Sequence, residues 1–327
     1  MGVLPRRAVL AGIGGYLPET VVTNDDLART VETSDAWIFE RTGIRQRHIA
    51  QPHETCAYMA AQAAQAALRD AGAVASEIDA IILATATPDQ QFPATALRVQ
   101  AALGAGGFGF DLSAACSGFV YGLSVADAMI RAGQVRGVLV IGSEVYSRIL
   151  NWQNRATCVL FGDGAGAVFL RAGEPGDDAD DGPGILSTHL HAQGALGDIL
   201  YIDGAVGQPE RSGHLVMNGR EVFRHAVAHL ADAVEEALAA NGLQAAEVDW
   251  LVPHQANRRI IDGVCKRLGL PMDRVILTMD RHANTSAASI PLALADGYRS
   301  GQIRRGQLLL MEALGGGLTW GSALIRF

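Results

Sequence analysis

The feature that most limits how this chain can fold is a repeat of its own strand and turn residues about 170 positions apart. Leu68-Arg-Asp-Ala-Gly72 followed by Glu77-Ile-Asp79-Ala-Ile-Ile82 is echoed by Leu238-Ala-Ala-Asn-Gly242 followed by Glu247-Val-Asp249-Trp-Leu-Val252. The offset is the same at the turn and at the strand: 242 − 72 = 170 and 249 − 79 = 170. Further on, Ala126-Asp127 matches Ala295-Asp296, and Arg131-Ala-Gly133-Gln134 matches Arg299-Ser-Gly301-Gln302, with offsets of 295 − 126 = 169 and 301 − 133 = 168. Slow drift of this kind is what a duplicated fold with small insertions produces. Alanine-rich helices match one another easily, so the weight rests on the strands and turns. Each half reads as a strand–helix unit with a right-handed parallel core. Loops at equivalent ends of two pseudo-symmetric sheets can then converge on one cleft. In this alignment Asp111 to Cys116 falls against Asp280 to Thr285.

Phe110-Asp-Leu-Ser-Ala-Ala-Cys116-Ser-Gly-Phe119 reads as strand, tight turn, cysteine and helix, the helix continuing to Ile130. A thiol there faces unpaired backbone N–H groups and the positive end of the helix dipole, which favour the nucleophilic thiolate. A buried structural cysteine is the commoner fate of a lone Cys. Elsewhere, Ala8 to Ile13 reads as a first strand and Thr23-Asn24-Asp25-Asp26 as a capped helix start. Helices are expected over Ala57 to Ala71, Thr95 to Leu103, Glu221 to Ala240 and Arg258 to Leu268, and buried strands over Ile78 to Ala84, Gly137 to Gly142, Val248 to Val252 and Gln307 to Glu312. Cys158 to Leu170 reads as strand, glycine turn and strand. Gly173 to Gly184, rich in Asp, Gly and Pro, reads as a solvated linker dividing halves 1–172 and 185–327.

Charged residues make up 18% and apolar ones 49% of the 327 residues, enough to build a large core. The net charge of −8 argues against a nucleic-acid binder. No apolar run approaches the roughly 18 residues of a membrane span. Arg6-Arg7 before an apolar stretch resembles a twin-arginine signal, but no cleavage pattern follows, and the first strand is the better reading. Cysteines at 56, 116, 158 and 265 form no C-x-x-C pair and read as reduced thiols of a cytoplasmic protein. His225 and His229 lack the glutamate of a zinc-protease helix and read as helix surface. His189 and His191 share a strand face, but the sequence suggests no carboxylate or third ligand nearby, so no metal site is expected. The Gly162–Gly166 stretch is not G-x-G-x-x-G, and no G-x-S-x-G occurs.

Three groups therefore stand out at strand ends: Cys116, His254 and Asn284. They allow two chemistries. Histidine could deprotonate cysteine while asparagine orients it, as in cysteine proteases. Alternatively cysteine carries an acyl group while His and Asn donate hydrogen bonds to an enolate-like thioester oxygen. A thioester hydrolase or simple acyl transferase belongs to the first chemistry.

Four motifs sharpen this choice: Asp111-Leu-Ser-Ala-Ala-Cys116-Ser-Gly-Phe119, Val252-Pro-His254-Gln-Ala-Asn257, Arg281-His-Ala-Asn284-Thr-Ser-Ala-Ala-Ser289 and Gly315-Gly-Gly-Leu-Thr-Trp-Gly-Ser322. Together with Thr33-Ser-Asp-Ala-Trp37 and Arg41-Thr-Gly-Ile-Arg45-Gln-Arg-His48, they resemble the β-ketoacyl-acyl-carrier-protein synthase III family over nearly the whole chain. The resemblance implies a thiolase-like, five-layer αβαβα homodimer. It implies that Cys116 takes the acyl group of an acyl-CoA starter, expected to be acetyl-CoA. Backbone N–H groups of Cys116 and Gly316 would form an oxyanion hole. His254 and Asn284 would stabilise the enolate as malonyl-acyl carrier protein loses CO₂, giving a 3-oxoacyl-acyl carrier protein at the start of fatty acid synthesis. Coenzyme A enters as a thioester substrate, with no permanently bound cofactor.

By the same resemblance Trp37 and Arg155 would sandwich the CoA adenine, and Thr33, Arg41 and Asn257 would hold the rest of it. Phe92 (from the partner subunit), Tyr146 and Phe223 would line the acyl pocket. Arg224, Arg259 and Lys266 would meet the acidic carrier protein. Tyr146 stands where familiar members have a smaller aliphatic residue, which leaves the identity of the starter open. A relative committed to a secondary-metabolite pathway is the alternative.

Overall fold

The computed structural model describes residues 6–174, 182–204, 210 and 212–327. The first half contains β1 (Ala8–Tyr16), β2 (Val21–Thr23), α1 (Asn24–Leu27), α2 (Asp35–Thr42), β3 (Gln46–His48), α3 (Cys56–Ala71), β4 (Ala80–Ala84), α4 (Thr95–Leu103), β5 (Phe108–Leu112), α5 (Gly118–Arg131), β6 (Gly137–Val145), α6 (Arg155–Cys158) and β7 (Asp163–Ala172). The second contains β8 (Gly184–Ala192), β9 (Leu200–Ile202), β10 (Leu215–Met217), α7 (Gly219–Ala240), β11 (Trp250–Pro253), α8 (Arg258–Leu268), α9 (Met279–His282), α10 (Ser289–Arg299), β12 (Leu308–Gly315) and β13 (Thr319–Arg326).

Two main sheets follow one plan. The first runs β1-β7-β6-β4-β5 and the second β8-β13-β12-β11, so corresponding strands occupy corresponding places. The fifth strand of the second sheet is reduced to a single parallel bridge between Leu251 and Val275. Helices α5 and α10 lie between the sheets. Helices α3 and α4 cover the outer face of the first, and α7 and α8 that of the second, completing five layers. Central strands such as Ile81–Leu83 and Val138–Ile141 are fully buried, which is why they read as unbroken apolar runs.

The duplicated residues do the same job twice. Asp79 accepts the backbone N–H of Gly137 (3.0 Å), and its own N–H donates to the Gly137 carbonyl (2.9 Å). Asp249 accepts from Leu308 (2.7 Å) and donates back to the Leu308 carbonyl (3.0 Å). Each aspartate thereby fixes where the next parallel strand begins. Close helix–sheet packing sets the small residues: a Cβ on Gly12 or Gly14 would lie 2.2 or 2.1 Å from the Ala67 or Ala63 carbonyl oxygen of α3.

Several readings need correcting. The stretch from Cys158 to Leu170 is not strand, turn and strand. It is the end of α6 followed by one continuous strand, β7. Its glycines serve packing: a Cβ at Gly166 would meet the Leu292 nitrogen at 2.7 Å. Most of the Gly173–Gly184 linker lies outside the described residues, although Gly184 already begins β8. His225 and His229 are not plain surface, because His229 stacks on Trp320 with ring centres 4.2 Å apart and on His225 at 5.5 Å. His189 and His191 do have a carboxylate beside them. Glu236 of α7 bridges their rings at 3.2 and 2.6 Å.

Candidate active site

Cys116 is placed by a turn that the sequence makes tight. Asp111 on β5 caps the first turn of α4 through the N–H groups of Thr95 (2.7 Å) and Ala96 (2.8 Å), anchoring the strand. The chain then passes Ala115, whose φ is +46°, into a single 3₁₀ turn over Ala115–Ser117 before α5. Ser117 Oγ lies 2.7 Å from the Ala114 carbonyl and 2.8 Å from Thr319 Oγ1, tying the turn to β13. The end of β12 presses on it so closely that a Cβ on Gly315 would come within 2.6 Å of the Cys116 nitrogen. Among the described residues the non-glycine positions with positive φ are Ala115, Ala283 and Ser286, which flank Cys116 and Asn284. Among the described residues, left-handed non-glycine backbone thus falls beside these two site residues. Ala115 and Ser286 each open a 3₁₀ turn that runs into a central helix, α5 and α10.

His254 follows β11, its N–H donating to the Glu312 carbonyl (2.8 Å). Its Nδ1 is 2.6 Å from Ser289 Oγ, which also accepts the Gln255 N–H at 3.3 Å. The Ser289 proton is then free for Nδ1, which assigns the ring hydrogen to Nε2. Asn284 Oδ1 accepts the Ser286 N–H (2.8 Å), leaving the Nδ2 amide as the end free to donate. Cys116, His254 and Asn284 are 6%, 5% and 6% exposed. Burial pushes the Cys116 thiol up to about 12 and the His254 imidazole down to about 3. Burial thus opposes the thiolate that the helix-start dipoles favour.

Cys116, Tyr146, Phe223, His254, Asn284 and Gly316 share the wall of one cavity of about 520 Å³. A second cleft of about 530 Å³, lined by Trp37, Arg41 and Arg259, shares Phe223 and Asn257 with the first and so leads to it. Tyr146 is buried and stacks on Phe161 with ring centres 4.8 Å apart. Thr33 keeps a buried hydroxyl oxygen with no partner. Arg155 and Arg41 lie 4.8 and 4.6 Å over the Trp37 ring. At van der Waals spacings of about 3.5 Å, no aromatic base fits between Trp37 and Arg155 until the arginine moves.

Other expected residues are not gathered at the cavity. Phe92 is 83% exposed and lines neither space in this chain. Arg224 pairs with Glu221 at 2.5 Å, and Lys266 is exposed in the last turn of α8. The sequence motifs include Ser289 and Gly315 without giving either a role, and they miss the β9–β10 hairpin, whose Leu200, Ile202 and Leu215 line the cavity. Only two short apolar runs, Leu200–Ile202 and Leu215–Met217, signal that hairpin within a turn-rich stretch.

A duplicated five-layer α/β fold whose cysteine, histidine and asparagine converge on one buried cavity is the architecture of the thiolase-like acyl-transferring enzymes. Residues 110–194 match the family described as 3-oxoacyl-[acyl-carrier-protein] synthase III, and residues 238–327 match its C-terminal part. The chain belongs to the β-ketoacyl-[acyl-carrier-protein] synthase III family and is an acyltransferase. It is 69% identical over 323 residues to the beta-ketoacyl-[acyl-carrier-protein] synthase III of Acidiphilium cryptum, covering 98% of this chain and 100% of that one. With the synthase III of Granulibacter bethesdensis it is 64% identical, covering 98% and 99%. The crystal structure of 3-oxoacyl-[acyl-carrier-protein] synthase III from Aquifex aeolicus superposes with a TM-score of 0.92 at 47% identity, covering 98% of this chain and 100% of that one.

Proposed function

We propose that this chain condenses an acyl-CoA starter with malonyl-acyl carrier protein, with loss of CO₂, to give a 3-oxoacyl-acyl carrier protein at the start of fatty acid synthesis. The observation that carries this reading is the meeting of Cys116, His254, Asn284 and Gly316 on one cavity reached through the Trp37–Arg41–Arg259 cleft. Cys116 attacks the starter thioester, and the N–H groups of Cys116 and Gly316 receive the developing oxyanion. Coenzyme A leaves and the malonyl thioester takes its place. His254 Nε2–H and Asn284 Nδ2–H then hold the thioester oxygen as CO₂ departs, and the carbanion attacks the acyl-cysteine. Decarboxylation supplies the carbanion, so the step needs no strong base.

The cleft takes the coenzyme A arm, with Thr33, Arg41 and Asn257 along it and the adenine between Trp37 and a displaced Arg155. Arg224, Arg259 and Lys266 face the carrier protein. The active form is a homodimer in the cytoplasm. The outer edge of β5 is unpaired, and Phe92, Leu97 and Phe108 are exposed near it, a surface that a second copy would cover. Phe92 would then reach the partner's cavity. Two units, 1–172 and 185–327, make up each subunit. Acetyl-CoA is the proposed starter, because the Tyr146 ring fills space beside Cys116.

The hydrolase reading loses support from His254, whose imidazole burial makes a poor base. The secondary-metabolite alternative has a structural counterpart in the priming β-ketosynthase of the R1128 polyketide pathway, at 36% identity and TM-score 0.92 over 99% of this chain and 98% of that one. That identity is well below the 69% to the Acidiphilium cryptum protein. A panel of acyl-CoA starters with malonyl-carrier protein, products read by mass, tests the proposal. A lengthened 3-oxoacyl product, best from acetyl-CoA, is expected. Free acid without a lengthened product would overturn it.

A further inference from the structure

The cleft that leads to the cavity has a wall of one charge. Among the described residues it is lined by three arginines, Arg41, Arg220 and Arg259, and by no carboxylate. The whole chain, by contrast, carries a net charge of −8. Two of the three arginines rest on aromatic rings. Arg41 lies 4.6 Å over Trp37 and donates to the Trp37 carbonyl at 3.3 Å. Arg259 lies 5.8 Å over Phe223. Arg220 is exposed and, among the described residues, has no hydrogen bond, ion pair or ring contact. Its neighbour Glu221 is taken by Arg224 at 2.5 Å.

Arg220 is also poorly placed for the helix that carries it. It is the second residue of α7, and a positive charge in the first turn opposes the helix dipole, which favours acidic side chains there. Neither a bonded partner nor helix electrostatics accounts for a guanidinium at this position. Its place along α7 is informative. Gly219 before it and Phe223 three positions after it each line both the outer cleft and the inner cavity, whereas Trp37, Arg41 and Arg220 line the cleft alone. Arg220 therefore sits on the cleft side of the junction, between two residues that form it. Packing does not call for the glycine: a Cβ at Gly219 would touch only the end of Met217, at 3.6 Å. The missing side chain leaves room beside Arg220 for a ligand to pass. A solvated helix charge is the alternative, but it leaves the carboxylate-free wall without a reason.

We infer that Arg220 binds the phosphate of the pantetheine arm, the anionic group that both thioester substrates present at the same distance from the reacting carbon. The inference rests on the reading of this cleft as the entrance for coenzyme A and the carrier arm. Beyond that phosphate the two substrates differ, one continuing to an adenosine nucleotide and the other to the carrier protein. A cation at the junction serves both half-reactions, while Trp37 and Arg155 serve coenzyme A alone. The guanidinium can give a phosphate two parallel N–H bonds, and no carboxylate in the wall competes for it.

The test compares Cys116 acetylation by three donors that share the thioester: acetyl-CoA, acetyl-phosphopantetheine, which keeps the arm phosphate alone, and acetyl-pantetheine, which has no phosphate. Arg220→Ala should raise the apparent KM for acetyl-CoA and acetyl-phosphopantetheine about tenfold, with little change in maximal rate. The apparent KM for malonyl-carrier protein should rise by a similar factor. With acetyl-pantetheine the variant should match the wild type. Arg220→Lys, which keeps a charge but loses the planar fork, should recover part of the loss. Equal loss with all three donors would overturn the inference, because a phosphate-free donor offers Arg220 nothing to bind, and would mark a structural role. Loss with acetyl-CoA alone would overturn it by moving the contact to the adenosine phosphates. Wild-type behaviour with every donor would overturn it too, leaving Arg220 a solvated charge. The reading of the cleft fails separately, and this inference with it, if acetyl-CoA leaves the wild-type protein unacetylated or if the adduct survives in Cys116→Ser.

Discussion

Burial keeps the His254 imidazole uncharged at neutral pH, and the Ser289 contact turns its Nε2–H toward donation. Asn284 is set for donation by the Ser286 N–H on its oxygen. We propose that two donors of this kind serve the malonyl step rather than cysteine activation. His254→Ala and Asn284→Ala should still self-acylate but lose malonyl decarboxylation by about 10²-fold or more. Loss of acylation with decarboxylation intact would instead indicate a protease-like base. Another residue-scale consequence concerns stability. Burial, helped by the neighbouring Arg281 charge, lowers His282 from 6.5 to about 4, and its Nδ1 has no partner. The unfolded chain takes up that proton first, so His282 contributes stability above about 6.5 that is lost as pH falls towards 4. At pH about 5 the loss is about 2 kcal/mol. His282→Gln should flatten the fall in melting temperature over that window; an unchanged fall would refute the assignment.

At the scale of elements, the paired aspartates carry the duplicated plan. Asp79→Ala and Asp249→Ala should each destabilise by about 1.5–3 kcal/mol, the usual worth of hydrogen bonds to a charged group, seen as similar drops in denaturant midpoint. A drop from one and none from the other would argue against equivalent roles. These residues explain why so much of the fold was legible: the repeat consists of local turn and strand-start chemistry, which sequence spacing records. Cys116, His254 and Asn284 were legible for the same reason, each sitting at a strand end beside its own motif. What spacing cannot record is packing between distant segments. The glycines of β7 look like a turn because their purpose, close approach to Pro291 and Leu292, lies more than 120 residues away (291 − 166 = 125). The buried Glu144 is hidden in the same way, its hydrogen-bond donors Thr85 and Thr87 lying nearly 60 positions earlier (144 − 87 = 57). For Cys116 the sequence records the helix start, which is local, but not the burial that opposes a thiolate.

For the whole molecule, we propose that Arg259, lining the cleft of an otherwise acidic chain, belongs to the face on which the carrier protein docks. Arg259→Glu should raise the apparent KM for malonyl-carrier protein and flatten its salt dependence, measured at saturating acetyl-CoA because Arg259 also lines the coenzyme A cleft. Unchanged carrier kinetics across a salt series would rule out this docking face. The central claim is covalent: the two halves fold together so that Cys116 carries the starter acyl group. Intact-mass measurement after mixing the protein with acetyl-CoA tests it most directly. The account predicts one acetyl adduct on the wild-type chain, mapped to Cys116, absent from Cys116→Ser and discharged when malonyl-carrier protein is added. An adduct that persists in Cys116→Ser, or maps to Cys56, Cys158 or Cys265, would contradict it.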